Sequence, residues 1–281
     1  MRLEIDGLGF GYSSSKVLDG ICMRMEGPQF VSILGPNGVG KSTLVNCICR
    51  VLEPDEGAVL LDGRDVSGMG VKEIADNMAY VPYSTGDSFP LTVVDAVLMG
   101  RQSRSGFRTT DEDLTKVYEA LHRLGIEDLA LRQFNELSAG QHQKVVLARG
   151  LVQEPRVLLL DEPTANLDIR HQMDVSELLR DLSREKRMTV IMICHDINIA
   201  SRYSDNIIMM YRGSIYAVGT PEQVVTPENI RAVYGVDSTV IRANGRPHVI
   251  LNGTLPDDED EWRSPYTASE PAVVDIPEMS E

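Results

Sequence analysis

The stretch GPNGVGKST, residues 35 to 43, constrains this chain more than any other. It fits G-x-x-x-x-G-K-[ST], directly follows the apolar run FVSIL (30 to 34), and opens into the helical pattern TLVNCICRVL. A strand that turns through glycines into a helix leaves several backbone N–H groups converging at the helix start, where the dipole also favours negative charge. That arrangement cradles phosphate oxygens. Gly35, Pro36, Asn37, Gly38, Val39 and Gly40 form the loop, and Thr43 closes the motif. Lys41 is placed to reach the β- and γ-phosphates of a nucleotide, and the Ser42 hydroxyl to ligate Mg²⁺. An ordinary strand-to-helix turn would have to match four positions by accident in the right context.

The rest of the chain supports such a loop. Short apolar runs, RVLLL (156 to 160), TVIMIC (189 to 194) and NIIMMY (206 to 211), alternate with helical patterns, as buried parallel strands with crossover helices do. The fold class is therefore α/β. The opening LEIDGLGFGY alternates apolar with polar or Gly residues and predicts an antiparallel layer. Between about residues 88 and 155 the pattern turns helical, with apolar residues three and four apart in VVDAVLMGR, DEDLTKVYEALHRLG and AGQHQKVVLARGLV.

Charge excludes one class of partner. A formal net charge of −15 argues against a basic surface gripping nucleic acid. More than half of that charge lies in residues 256 to 281, which hold nine acids against Arg263 alone and predict a disordered, solvated tail. The body, 1 to 255, is read as one domain. No run approaches the ~18 apolar residues of a membrane span, and MRLEIDGLGF lacks a signal-peptide core, so a cytosolic chain is expected. Cys22, Cys47, Cys49 and Cys194 lie in or beside apolar segments and read as buried small hydrophobes, a Cys47–Cys49 redox pair being the alternative.

A nucleotide site needs an acid at the end of a second strand. RVLLLDEP supplies Asp161, placed to hold Mg²⁺ directly or through water, with Glu162 beside it to polarise the attacking water. Three further phrases complete the set: LSAGQHQKVVLARGL from Leu137, TANLD at 164 to 168, and ICHDIN at 193 to 198. Together, in this order, they resemble the ATPase subunits of ATP-binding cassette (ABC) transporters, over nearly the whole chain up to about Leu255. The resemblance implies a P-loop NTPase core of mixed sheet with flanking helices, an antiparallel layer and a helical subdomain. It also gives roles that spacing does not. Tyr12 matches the aromatic that stacks on adenine. Ser138, Ala139, Gly140 and Gln141 match the signature that contacts ATP bound to the opposite subunit, with Ala139 where the family has glycine. Asp168 matches the D-loop acid at the dimer interface, and His195 the residue that senses the γ-phosphate.

A homodimer holding two Mg·ATP is thus implied, together with a polytopic permease, a substrate-binding protein acting through it, and a place on the cytoplasmic face of the membrane. The phrases FPLTVVDAVLMGR, TANLDIRHQ and VYGVDSTVIRANGRPHVIL look like the subgroup that imports iron-siderophore, haem and cobalamin complexes. Soluble ABC ATPases of DNA repair or chromosome organisation are the rival, but no sustained heptads separate Lys41 from Asp161. A non-catalytic nucleotide switch would need the loss of Lys41, Glu162 or His195, and all three are present. One position departs from the pattern. Tyr83 stands where the family carries a glutamine that links Mg²⁺ to the coupling surface. Tyr83, through water, or Ser84 is expected to take over that link, the alternative being that Tyr83 packs on the helical insertion.

Overall fold

The computed structural model describes residues 1–13, 15–83, 91–105, 108–165, 167–255 and 274–276. In chain order its elements are β1 (Arg2–Tyr12), β2 (Ser15–Glu26), β3 (Phe30–Leu34), α1 (Lys41–Ile48), β4 (Glu56–Leu61), β5 (Arg64–Asp65), α2 (Val71–Asn77) and β6 (Met78–Val81). Four helices follow: α3 (Val93–Leu98), α4 (Gln102–Ser105), α5 (Asp111–Arg123) and α6 (Ala139–Leu151). Next come β7 (Val157–Leu160), α7 (Ile169–Glu185), β8 (Thr189–Ile193), α8 (Ile197–Tyr203), β9 (Asn206–Tyr211), β10 (Ser214–Gly219), α9 (Pro221–Val224) and α10 (Pro227–Tyr234). A hairpin of β11 (Val236–Ala243) and β12 (Arg246–Thr254) and a short β13 (Val274–Ile276) are the last elements among the described residues.

Among the described residues the strands other than the β11–β12 hairpin build two sheets. One has the order β10-β9-β3-β8-β7-β6, parallel except for β10, and its strands β3, β7 and β8 are buried at every residue. Burial on both faces is why these segments read as unbroken apolar runs. The other sheet, β13-β2-β1-β4-β5, is antiparallel apart from β13 and lies over the first with α1 between them. Ile5, Met23, Ile33, Leu44 and Ile191 share that inter-sheet core. On the opposite face α3, α5 and α6, which come between β6 and β7, contribute Val97, Leu121 and Leu147 to a second core. Inside this helical region Arg101 donates to Asp113 Oδ1 at 2.8 Å and to Glu154 Oε2 at 3.0 Å. Arg101 and Asp113 are both buried.

Two readings of the sequence meet the structure here. The four cysteines are free and buried, and desolvation pushes the thiols of Cys47 and Cys194 up to about 12 and that of Cys49 to about 11. Thiols held protonated are poor redox nucleophiles. The expectation of an unstructured tail does not hold at Val274–Ile276. Those residues pair in parallel with Met23–Met25, and Ile276, 3% exposed, joins the inter-sheet core while Asp275 lies 3.9 Å from Arg24. The edge of β2 has unpaired backbone groups, and even a three-residue strand satisfies them while delivering one apolar side chain inward. The other tail residues lie outside the described ones.

Candidate active site

The neighbours β3, β8 and β7 run in the same direction, so their carboxyl ends open side by side, where open α/β sheets place ligands. The end of β3 leads into residues 35–40 and α1. The end of β7 delivers Asp161 and Glu162, and the end of β8 delivers Cys194 and His195. Backbone bonds lock these ends together: Cys194 N–H donates to Ile33 O at 3.1 Å, and Asp161 N–H to Val81 O at 2.9 Å.

The loop itself is shaped for close approach. Gly35 has φ 147° and Gly40 φ 98°, and a Cβ at these positions would lie 2.4 Å from Met210 O and 2.7 Å from Leu18 Cδ2. Only glycine fits both. No side chain caps α1 and no acid occupies its first turn, so its N–H groups are left for an anion. Lys41 Nζ donates to the carbonyls of Gly35 and Pro36, at 2.8 Å each. Burial pulls its pKa down, while Glu162 and Asp161 oppose that shift.

Ser42 Oγ donates to Asp161 Oδ1 at 3.1 Å. Asp161 is buried, and desolvation raises its pKa with Glu162 adding to the rise, against the Ser42 hydrogen bond and the charge of Lys41. A buried carboxylate beside a hydroxyl, lacking a full counter-charge, is the donor set a hard divalent cation takes, so Ser42 and Asp161 fit Mg²⁺. Glu162 holds φ 50°, a left-handed conformation that non-glycine residues rarely adopt and that gathers at active sites. Its Oε1 lies 2.5 Å from His195 Nε2.

The sequence-derived residues thus fall into three groups. Lys41, Ser42, Asp161, Glu162 and His195 come together at the strand ends. Ser138 caps α6 in a reciprocal pair with Gln141, and Ser138, Ala139, Gly140 and Gln141 line a separate cleft of about 550 Å³ with Asp168. None of residues 35–43 lines that cleft. Asp168 caps α7, accepting from His171 N at 2.9 Å and contacting His171 Nδ1 at 2.8 Å, and these contacts hold its carboxyl below the usual range. Tyr12 stands apart, 54% exposed at the end of β1, edge-on to Phe10 at 4.9 Å between centroids. Tyr83 follows β6 with 45% of its surface exposed, and among the described residues no hydrogen bond reaches its hydroxyl. Ser84 lies outside the described residues.

Sequence reasoning missed Tyr80. Its hydroxyl approaches Asp161 Oδ2 at 3.5 Å, and burial with the nearby Asp161 charge pushes its pKa up. The register that pairs Tyr80 with Leu159 brings it there, and the polar residue inside the strand MAYV was the available signal.

A phosphate-cradling loop, a paired acid at the adjacent strand end and a histidine on that acid define a nucleoside-triphosphatase of the P-loop class. The ABC transporter family model matches residues 18–165. An uncharacterized ABC transporter ATP-binding protein of Methanocaldococcus jannaschii is 44% identical over 253 residues, covering 90% of this chain and 99% of that one. The hemin import ATP-binding protein of Bordetella avium is 36% identical, covering 91% and 98%. Other relatives are named as cobalamin import and iron(3+)-hydroxamate import ATP-binding proteins, from Halobacterium salinarum and Bacillus subtilis. The chain spans 59% of the cobalamin relative's length. Among solved structures, the dimeric post-hydrolysis state of an ATP-binding cassette bound to ADP and Pi superposes with a TM-score of 0.70 at 29% identity, covering 77% of this chain and 97% of that one. The chain belongs to the ABC transporter ATP-binding family and is an ATPase.

Proposed function

We propose that this chain is the ATP-hydrolysing subunit of an importer and works as a homodimer holding two Mg·ATP. It takes its place on the cytoplasmic face of the membrane against a polytopic permease. In each site the loop 35–43 of one copy grips the phosphates, and Ser138–Gln141 of the other closes over the γ-phosphate. One observation carries this reading: the signature cleft with Asp168 is built and open, yet it shares no residue with the phosphate loop of its own chain.

Within a site, Lys41 exchanges its two loop carbonyls for phosphate oxygens, and Tyr12 offers its exposed ring to the base. Ser42 and Asp161 would hold Mg²⁺, which when bound would offset the negative charge of the phosphates. Glu162 orients the attacking water and accepts its proton, and His195 fixes the Glu162 carboxylate from the side. The cargo is of the iron-siderophore, haem or cobalamin type, a reading supported by the relatives' names and by the phrases around Val93, Ile169 and Tyr234. A substrate-binding protein would deliver it to the permease.

The test is Glu162→Gln in purified protein. ATP binding should persist, turnover should fall by at least ~10²-fold as expected for losing a general base, and ATP should convert the chain to a dimer in size-exclusion chromatography. Near-normal turnover removes Glu162 from the role. A monomer under saturating ATP sinks the shared site. Uptake of labelled cobalamin, haem and ferric siderophore by vesicles containing the copurified permease then selects the cargo.

A further inference from the structure

Beside the strand ends, α7, α8 and the β11–β12 hairpin line a cleft of about 580 Å³ that includes Asp196, the residue after His195, but none of Lys41, Ser42, Asp161, Glu162 and His195. Arg180, Arg184, Arg202, Arg246 and His248 line it, and Asp196 is the one acid among its lining residues. In a chain of net charge −15 this concentration of guanidinium groups runs against the prevailing sign.

Not all of these charges are spent. Arg180 pairs with Asp181 at 2.9 Å and Glu177 at 3.1 Å, and Arg184 lies 3.6 Å from Asp205. The Asp196 carboxylate is occupied in capping α8, accepting from Asn198 N at 2.8 Å and Ile199 N at 3.0 Å. Among the described residues no carboxylate lies within ion-pair range of Arg202 or Arg246. Arg202 and Arg180 each lie 5.6 Å from the centroid of the buried Tyr203 ring, so both guanidinium groups are held against that aromatic side chain.

The walls are fixed. Ser201 Oγ donates to Pro247 O at 2.6 Å, and Asn198 clamps Val249 from both sides, its Oδ1 accepting at 2.7 Å and its Nδ2 donating at 3.2 Å. The hairpin turns through Asn244 at φ 53° and Gly245 at φ 80°, a tight return that brings Arg246 back toward α8. A rigid concave site with guanidinium forks in excess of acids recognises oxyanions, and two unpaired forks favour a ligand with two such groups.

We propose that this cleft is a second anion site, separate from the nucleotide site, which binds a compact polyanion bearing two or more phosphate or carboxylate groups through Arg202 and Arg246. Pyrophosphate and tricarballylate serve as probes of the two chemistries. They are titrated calorimetrically into the full chain in metal-free buffer, and again into the Lys41→Ala chain, so that chelation does not contribute and only binding that survives the loss of the phosphate-loop lysine is counted. Wild type should bind at least one probe at one site. Arg202→Gln and Arg246→Gln should each weaken it by roughly tenfold or more, the loss expected for one charge-assisted contact, while ADP affinity stays unchanged and certifies the fold. The stronger probe identifies the ligand as phosphate or carboxylate in kind. Equal binding by wild type and the double variant overturns the proposal, as does the absence of binding by either probe. Binding that appears only after Asp257, Asp258, Glu259, Asp260 and Glu261 are all amidated also overturns it, because the cleft would then belong to the chain's own acidic segment.

Discussion

The docked tail strand can be weighed against the bare edge it covers. Ile276→Asp places a charge in the space between the sheets, where Met23 and Met25 are fully buried beside it. A core isoleucine inside a helix has no escape from such a change, but a terminal strand does: it can detach. The cost is therefore capped at the docking free energy. Burying one isoleucine contributes about 1.5–3 kcal/mol, and ordering a short strand returns part of that as lost entropy. A net loss of about 1–2 kcal/mol is expected, which for a domain of this size lowers Tm by roughly 2–8 °C. Deleting residues 274–281 should give the same shift, since both changes leave the β2 edge bare. Turnover should not move. Met23 lies eight residues along β2 from Ser15, the partner of Tyr12, a separation of roughly 26 Å at strand rise. Differential scanning fluorimetry and a coupled ATPase assay read both quantities. A point variant far less stable than the deletion would refute the detachment argument, and a shift below about 1 °C in both would refute the docking itself.

Asp161→Asn should raise the Tm of the nucleotide-free protein at neutral pH. Burial raises the Asp161 pKa in the folded state, so the folded chain binds more protons than the unfolded one and its stability falls as pH climbs through that range; the gain over wild type should shrink as pH drops toward ordinary carboxylate values, and a pH-independent gain would exclude this cause. Arg101→Ala removes one partner of the buried Arg101–Asp113 pair and should cost about 3–5 kcal/mol in urea denaturation, with a loss under 1 kcal/mol showing that the pair is dispensable. Tyr83→Phe should leave the Mg²⁺-dependent ATPase of the isolated chain unchanged and lower the permease-stimulated rate, with Tyr83→Gln restoring it; identical rates for Tyr and Phe in both settings would remove the phenol from coupling.

The nucleotide chemistry was legible because it is local. Residues 35–43 encode a turn, a helix start and a charge within nine positions, and the acids at 161–162 and the histidine at 195 each end an apolar run whose character needs no partner to be recognised. What could not be read is the order in which those runs lie side by side. That order, β10-β9-β3-β8-β7-β6, makes neighbours of Ser42, Asp161 and His195, and it arises from crossovers through helices whose sequences say only that they are amphipathic. Tyr80 escaped notice for the same reason, since its approach to Asp161 depends on the register of β6 against β7. The tail strand escaped for another: Val-Asp-Ile in an acid-rich segment is a weak local signal, and its pairing comes from a sheet edge formed by residues 23–25.

Ala139 joins the two kinds of information. As a departure from the glycine of the signature it was visible at once, and a methyl where backbone must approach a phosphate reads as an obstacle. In the fold Ala139 is the first residue of α6, just after the Ser138 cap, and it is exposed on the wall of the 550 Å³ cleft. Alanine is the best helix former and glycine about 1 kcal/mol worse in a helix interior, so the substitution firms the start of the helix that presents Ser138 and Gln141. In the shared site proposed above, crowding by this methyl would fall on the nucleotide of the facing copy. Ala139→Gly should therefore act on ATP-driven dimerisation in the opposite sense to its small effect on monomer stability.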